Sequence, residues 1–399
     1  MRRSIWNNPR ALKSGQEHKV WRLKRALYGL KQASLAWWKE LTKSMKKLGF
    51  RRIWSDAGVF VYKDANGGIV YVIVYVDDAL FLGPDLTLVH KLKSDFMQQW
   101  ECRDLGEAKE FLGIHIRHDR NSIMLDQTEY LNKVLERFGM TNAKVHKTPL
   151  PAGYQPSATT GTATTKLRSR FQSVIGSLLY LMLGTRPDIA YAVIKLSQFS
   201  ANPSEEHLTR ALGICHYLVG TPDYALVYNG DSNMGLIAYT DSDWGQDKIK
   251  RRSITGFFLK LADGVVSWQS RAQKTVAHSS TEAEYMAMSD CSRQVMWIQS
   301  LLRELGFSES RTPICGDNQG SIFIASNPVQ EHRTKHIDIR YHYIRERVEE
   351  GDVELFFIPG TDNPADLLTK ALGDNLFQRF IKEYGLEFYS SSNPPKRTH

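Results

Sequence analysis

An α/β (α+β) protein is what this 399-residue chain predicts, on three observations. A β-branched and aromatic run, Ile69-Val70-Tyr71-Val72-Ile73-Val74-Tyr75-Val76, ends in Asp77-Asp78 and resumes as Ala79-Leu80-Phe81-Leu82. Bounded by Gly67-Gly68 and Gly83-Pro84, it has the pattern of buried strand, tight turn, buried strand. Helical spacing dominates residues 171–219, and from Gly235 onward short strands alternate with helices.

Taken in order, residues 31–48 form a helix, the apolar hairpin follows, and a helical segment covers 86–100. Residues 111–116 and 122–125 make a short strand pair, and Asp126 caps a helix over 127–138. Thr148-Pro149-Leu150-Pro151 opens a Pro, Gly, Ser, Thr and Ala stretch, a flexible linker or long loop. Three helices follow at 171–183, 189–199 and 205–219. Leu236-Ile237-Ala238-Tyr239-Thr240-Asp241 is a strand ending in an aspartate. Strands at 256–261 and 265–268 are joined by an Ala262-Asp263-Gly264 turn. Then come a long helix, a strand at 313–316, a helix near Ser321, another after Arg333, a strand at 353–358 and a last helix after Pro364. The polar residues 390–399 form a disordered tail.

The length predicts two or three domains, and 42% hydrophobic with 24% charged residues is ordinary for a soluble globular protein. A net charge of +9 favours a polyanionic partner, most simply nucleic acid. The scattered Cys102, Cys215, Cys291 and Cys315 make neither a zinc spacing nor a disulfide framework. No stretch has a transmembrane length and the first residues lack the apolar core of a signal peptide, so no membrane role is expected. The expected compartment is the cytoplasm, with the nucleus as the alternative.

Two sets of carboxylates invite chemistry. Asp77 and Asp78 sit in a turn between apolar strands, where a divalent cation held by carboxylate oxygens and substrate phosphates would neutralise them. A hairpin with two solvated aspartates is the simpler alternative. Downstream, Asp241 ends a strand, Asp317 follows Ile314-Cys315-Gly316, and Asp366 follows the Asn363-Pro364 helix start. Ser279-Ser280-Thr281-Glu282-Ala283-Glu284 supplies a glutamate. Its helix buries Ala287, Cys291, Val295, Ile298, Leu302 and Leu305, steps of three and four that extend backwards to Glu284 and not Glu282. Each acid has a structural alternative: a capping box for Glu284, a helix-dipole partner for Asp366, a turn residue for Asp317. Converging carboxylates repel one another unless a cation holds them, and a two-metal phosphodiesterase needs such a cluster.

The sequence resembles the polymerase end of a Ty1/copia-type retrotransposon polyprotein over residues 18–372, with motifs in the family's order. Arg22-Leu23-Lys24-Arg25-Ala26-Leu27-Tyr28-Gly29-Leu30-Lys31-Gln32-Ala33 resembles the template-side helix entry of the reverse transcriptase. Tyr75-Val76-Asp77-Asp78 resembles its active-site box, Phe111-Leu112-Gly113 its primer grip, and Gly184-Thr185-Arg186-Pro187-Asp188-Ile189-Ala190 a hallmark of the connecting region. Tyr239-Thr240-Asp241-Ser242-Asp243-Trp244, residues 279–285, Asp317-Asn318-Gln319, Arg333-Thr334-Lys335-His336-Ile337-Asp338 and Ala365-Asp366-Leu367-Leu368-Thr369-Lys370 resemble a ribonuclease H domain.

The resemblance implies a partial reverse-transcriptase palm and thumb over 1–148, a linker over 149–165, a helical connection over 166–230 and a ribonuclease H-like mixed sheet with flanking helices over 231–389. It implies that Asp77 and Asp78 match the polymerase's metal pair and that Asp241, Glu284, Asp317 and Asp366 match the ribonuclease H carboxylates. The implied cofactor is Mg2+, with Mn2+ as the alternative, two ions at the ribonuclease H site. Implied partners are an RNA–DNA hybrid, recognised by shape and 2′-hydroxyls, and other retrotransposon proteins. Lys24, Arg25, Lys31, Gln32, Arg251, Arg252, Arg333, Lys335 and His336 are the expected nucleic-acid contacts. Zinc chelation by His332, His336 and His342 lacks a cysteine or a third positioned ligand. Trp37-Trp38 could stack on bases, although core packing suits at least one of them.

A departure lies at the front. The family's third polymerase carboxylate belongs on a strand upstream of Arg22, and no aspartate occurs in residues 1–20. The expectation is therefore Mg2+-dependent cleavage of RNA in hybrids, with DNA synthesis lost from this chain alone. A non-catalytic nucleic-acid-binding remnant is the alternative.

Overall fold

The computed structural model describes residues 5–7, 20–22, 26–27, 29–245, 251–307, 311–327 and 341–389. Contacts divide the chain into two compact units, Met1–Gly106 and Glu107–His399. In the first, β1 (Ile5–Asn7) pairs antiparallel with β2 (Val20–Arg22). Helix α1 (Ala33–Lys47) precedes a four-stranded antiparallel sheet of β3 (Arg51–Arg52), β4 (Val59–Lys63), β5 (Ile69–Tyr75) and β6 (Asp78–Leu82), paired in sequence order. Helix α2 (Leu86–Met97) follows, its first turn capped by the Asp85 carboxylate, which accepts from the Thr87 and Leu88 N–H groups. Strand alternation turns Phe60, Val70 and Val72 to one face, where they pack with Leu41 and Met45 of α1 and Val89, Leu92 and Phe96 of α2.

The second unit begins with a meander, β7 (Glu110–Phe111), β8 (Ile114–Asp119) and β9 (Ser122–Asp126), and then α3 (Thr128–Arg137). Asp126 does sit at the start of that helix, accepting from the Thr128 N–H at 3.0 Å. Residues 149–164 carry no regular structure before α4, yet they are pinned. Leu150 joins the core, and the Asn202 side chain accepts from the Ala163 N–H at 2.7 Å.

Helices α4 (Thr165–Gly184), α5 (Ala190–Ser197) and α6 (Glu205–Val219) stack beside them. Between α4 and α5 the buried Arg186 guanidinium donates to both oxygens of Asp188 and to the Thr221 carbonyl, and Tyr217 also donates to Asp188. That closed network explains Thr185-Arg186-Pro187-Asp188 as a structural lock. Strand β10 (Tyr224–Asn229) is one the sequence pattern does not announce, and it pairs antiparallel with β9.

The sheet that carries the acids consists of β11 (Ile237–Asp243), β12 (Ile254–Leu261), β13 (Gly264–Ala272), β14 (Thr312–Gly316) and β15 (Val353–Phe357), ordered β13-β12-β11-β14-β15. The first three strands are antiparallel, whereas β14 runs parallel to β11 and β15 parallel to β14. Ala262 and Asp263 form the two-residue turn between β12 and β13, both at positive φ, as a type I′ hairpin requires. Helix α7 (Ser280–Leu305), α8 (Gln319–Ser326) and α9 (Tyr343–Glu349) pack on the sheet from one side. Along β12, Phe257 and Leu259 point to that side, while Ile254 and Phe258 point to the core shared with α4, α5 and α6. This is the mixed sheet with flanking helices implied by the resemblance.

After Pro364 the chain makes a 3-10 turn, Pro364–Leu368, and α10 (Asp374–Glu383) starts only later, so Asp366 does not lie in the last α-helix as expected. The turn ends where Thr369 commits its hydroxyl to Asp241. Strand β16 (Leu386–Phe388) then adds to β10. The sheet β16-β10-β9-β8-β7 thus joins residues 110–126 to the C-terminal half, and by contacts the second compact unit begins at Glu107. Among the described residues no helix is long and apolar enough to cross a membrane.

Candidate active site

Asp241 lies on β11 and Asp317 directly follows β14. The parallel register pairs Ala238 with Ile314 and Tyr239 with Cys315, so extending it two places sets Asp241 beside Asp317. Asp366 arrives from the 3-10 turn, which Asn363 anchors. The Asn363 side chain accepts from the Ala365 N–H at 3.1 Å and donates to the Thr240 carbonyl, one residue before Asp241, at 2.9 Å. One carboxylate oxygen from each of Asp241, Asp317 and Asp366 lies within 4.8 Å of the others, the group of potential metal ligands found among the described residues.

Glu284 joins from the first turns of α7. Its Oε1 accepts from the Ser242 N–H at 3.1 Å, while its buried Oε2 has no hydrogen-bond partner. Capping falls to the other glutamate. Ser279 accepts from the Glu282 N–H as the N-cap and Glu282 accepts from the His278 N–H just before it, so the helix start is satisfied without Glu284. The same division recurs at α8, where the Asn318 side chain accepts from the Ser321 N–H while its neighbour Asp317 faces the cluster. Neighbours therefore take the structural duties that could have explained the acids.

Two glycines make room. A Cβ on Gly256, opposite Asp241 in the β11–β12 register, would stand 2.6 Å from the Thr369 methyl and 2.8 Å from Leu368 Cβ. A Cβ on Gly360 would stand 2.8 Å from Asp317 Oδ2.

Electrostatically the site is frustrated. Burial, and then Asp241, push the Asp366 carboxyl up to about 7. Burial followed by Asp241 and Asp317 holds Glu284 well above the usual carboxylate range, and burial followed by Asp241 raises Asp317. Lys370 opposes this from within, its ammonium 2.6 Å from Asp366 Oδ1. Burial works against the charge on Lys370, but Asp241 and Asp366 outweigh it and raise its pKa.

The hairpin pair is placed differently. Asp77 is in the turn and Asp78 opens β6 opposite Tyr75, both exposed. Val76 holds φ +55°, a strained setting for a β-branched residue that fixes the tip. Among the described residues no third metal-ligand side chain completes a group with them. Lys31 and Gln32 are exposed just before α1, and Arg251 is exposed beside a half-buried Arg252 ahead of β12. Lys24, Arg25, Arg333, Lys335 and His336, with His332, lie outside the described residues. Trp37 packs edge-on against Trp100, ring centroids 4.8 Å apart, while remaining exposed at 39%.

Residues 5–152 match the reverse transcriptase (RNA-dependent DNA polymerase) family. The chain is 38% identical over 372 residues to the retrovirus-related Pol polyprotein from transposon TNT 1-94 of Nicotiana tabacum, covering 92% of this chain. It is 40% identical over 369 residues to that from transposon RE1 of Arabidopsis thaliana, again covering 92% of this chain. It spans 28% and 25% of those two polyproteins. Over 273 residues it is 33% identical to the putative transposon Ty5-1 protein of Saccharomyces cerevisiae, covering 68% of this chain and 88% of that protein. The chain belongs to the copia-type retrotransposon Pol family.

In this member of the copia-type family, Thr369 and Lys370 are site residues that sequence reasoning passed over. Both stand inside the Ala365-to-Lys370 motif, where only the aspartate has an evident chemical part. Gly256 and Gly360 carried no sequence signal at all, since their use depends on what packs against them.

Proposed function

We propose that this chain cleaves the RNA strand of RNA–DNA hybrids at the cluster of Asp241, Glu284, Asp317 and Asp366, with Mg2+ or Mn2+. The observation that carries this reading is the convergence of three carboxylates within 4.8 Å beside a buried, unpartnered Glu284 oxygen. An all-oxygen donor set of that kind suits a hard divalent cation, and an orphaned carboxylate oxygen is what such a cation would satisfy. Bound there, two ions would supply Lewis acidity and a nucleophilic water at neutral pH. The chain's own residues orient the donors. Ser242 fixes Glu284, the Thr369 hydroxyl fixes Asp241, and Asn363 holds the Asp366 turn onto β11. Arg251 and Arg252 are proposed as phosphate contacts near the same strand.

Polymerisation is the activity of the matched family, and Asp77-Asp78 is the matching pair. With both exposed and no third ligand beside them among the described residues, we assign this chain hybrid cleavage ahead of DNA synthesis.

A labelled hybrid incubated with purified chain and Mg2+ should be nicked in its RNA strand, and Asp317→Asn should slow this by at least about a hundredfold. Identical behaviour of the two proteins would overturn the assignment. Salt-sensitive binding without cleavage under either metal would instead support a non-catalytic nucleic-acid binder. Primer extension by this chain would restore the polymerase reading.

A further inference from the structure

Lys370 follows the acidic turn, and its Nζ lies 2.6 Å from Asp366 Oδ1 and 3.4 Å from Asp241 Oδ2. Asp241 Oδ2 also accepts from the Thr369 hydroxyl, so this oxygen faces both a hydroxyl donor and the ammonium. The side chains of Asp241 and Asp366 are only 1% and 11% exposed, whereas that of Lys370 is 33% exposed. Two buried carboxylates brought together without a cation would repel each other at close range. The ammonium offsets part of that repulsion, and its flexible four-carbon stem gives it a route to solvent. A divalent ion needs the same oxygens, and two cations do not share them without strong repulsion.

We propose that Lys370 is a built-in, displaceable counter-ion: it occupies the cation's place among Asp241 and Asp366 in the metal-free protein and must withdraw when metal binds. This deepens the proposed function and rests on Asp241 and Asp366 being metal ligands. Lys370 then acts as a positioning residue that sets metal affinity and stabilises the crowded carboxylates when no divalent cation is bound.

The test is calorimetric titration of Mg2+ into the full chain without nucleic acid, together with thermal melting in chelator. Lys370→Met should tighten Mg2+ binding about tenfold or more, because no cation has to be displaced, and should lower the melting temperature in chelator more than in saturating Mg2+. Lys370→Gln, which keeps length and polarity, should tighten binding too and covers the case in which the methionine variant does not fold. Lys370→Arg, which keeps the charge, should not tighten it.

Unchanged or weaker Mg2+ affinity in both neutral variants overturns the proposal. If the wild type binds Mg2+ and loses it in Asp366→Asn while Lys370→Gln leaves affinity unchanged, the counter-ion fails and the metal site stands. If no variant binds Mg2+ and the hybrid is not cut, both fail. Binding that appears only in the neutral variants supports the counter-ion.

Discussion

Glu282 and Glu284 are two residues apart on one helix, both buried, and their environments separate them completely. Glu282 closes the helix start through the His278 N–H, whereas Glu284 reaches the backbone after Asp241. Glu284→Gln should therefore remove hybrid cleavage while leaving the fold in place, as circular dichroism would show. Glu282→Ala should cost about 0.5–3 kcal/mol of stability, measured by denaturant unfolding, and leave the acidic cluster formed. The titration of the acids makes a second prediction at this scale. Asp366 sits at about 7 in the fold, above the ordinary value of about 3.9, and Glu284 and Asp317 are raised as well. The folded state then holds more protons than the unfolded chain, so stability in chelator should fall as pH rises from about 4 to about 7. Melting curves across that range check the sign, and a rise instead would show that the acids are not crowded. The helix phase made Glu284 legible in the sequence. The cap that occupies Glu282 was not, because a capping box can be written with either glutamate until the N-cap residue is known.

Among elements, the 3-10 turn Pro364–Leu368 and strand β12 meet because Gly256 has no side chain. Gly256→Val should push the turn off the sheet at a cost of about 1–3 kcal/mol, and it should weaken Mg2+ binding along with stability. Rescue of the site without loss of stability would contradict this account. The Arg186–Asp188 lock between α4 and α5 belongs to the same scale. Asp188→Asn strands a buried guanidinium and should destabilise the second unit by about 3–5 kcal/mol, seen as a large drop in the unfolding midpoint. The motif around Arg186 was readable as a hallmark, and its partners Thr221 and Tyr217 were not, since they are distant in sequence. Most helices and the strands of the sheet β13-β12-β11-β14-β15 fell where apolar spacing put them. Strand β10 escaped because its edges are supplied by β9 and β16, which are remote along the chain.

For the whole molecule, the sheet β16-β10-β9-β8-β7 makes the meander at 110–126 part of the C-terminal unit. A fragment of residues 107–389 should accordingly melt cooperatively. A fragment of 149–389, lacking β9, should melt at a markedly lower temperature or aggregate through the exposed edge of β10. Equal melting of the two would return the boundary to residue 148. What the sequence determined by itself was local: period-two and period-3.6 patterns, the motifs that carry the family resemblance, and the helix phase that singles out Glu284. Those signals follow from residues within one or two turns of each other. Tertiary structure alone decided which neighbours cap, which glycines yield space, where the compact unit begins, and that Lys370 enters the acidic cluster. Each depends on what lies across a sheet or beneath a turn, and pairwise distances of that kind are not written in local spacing.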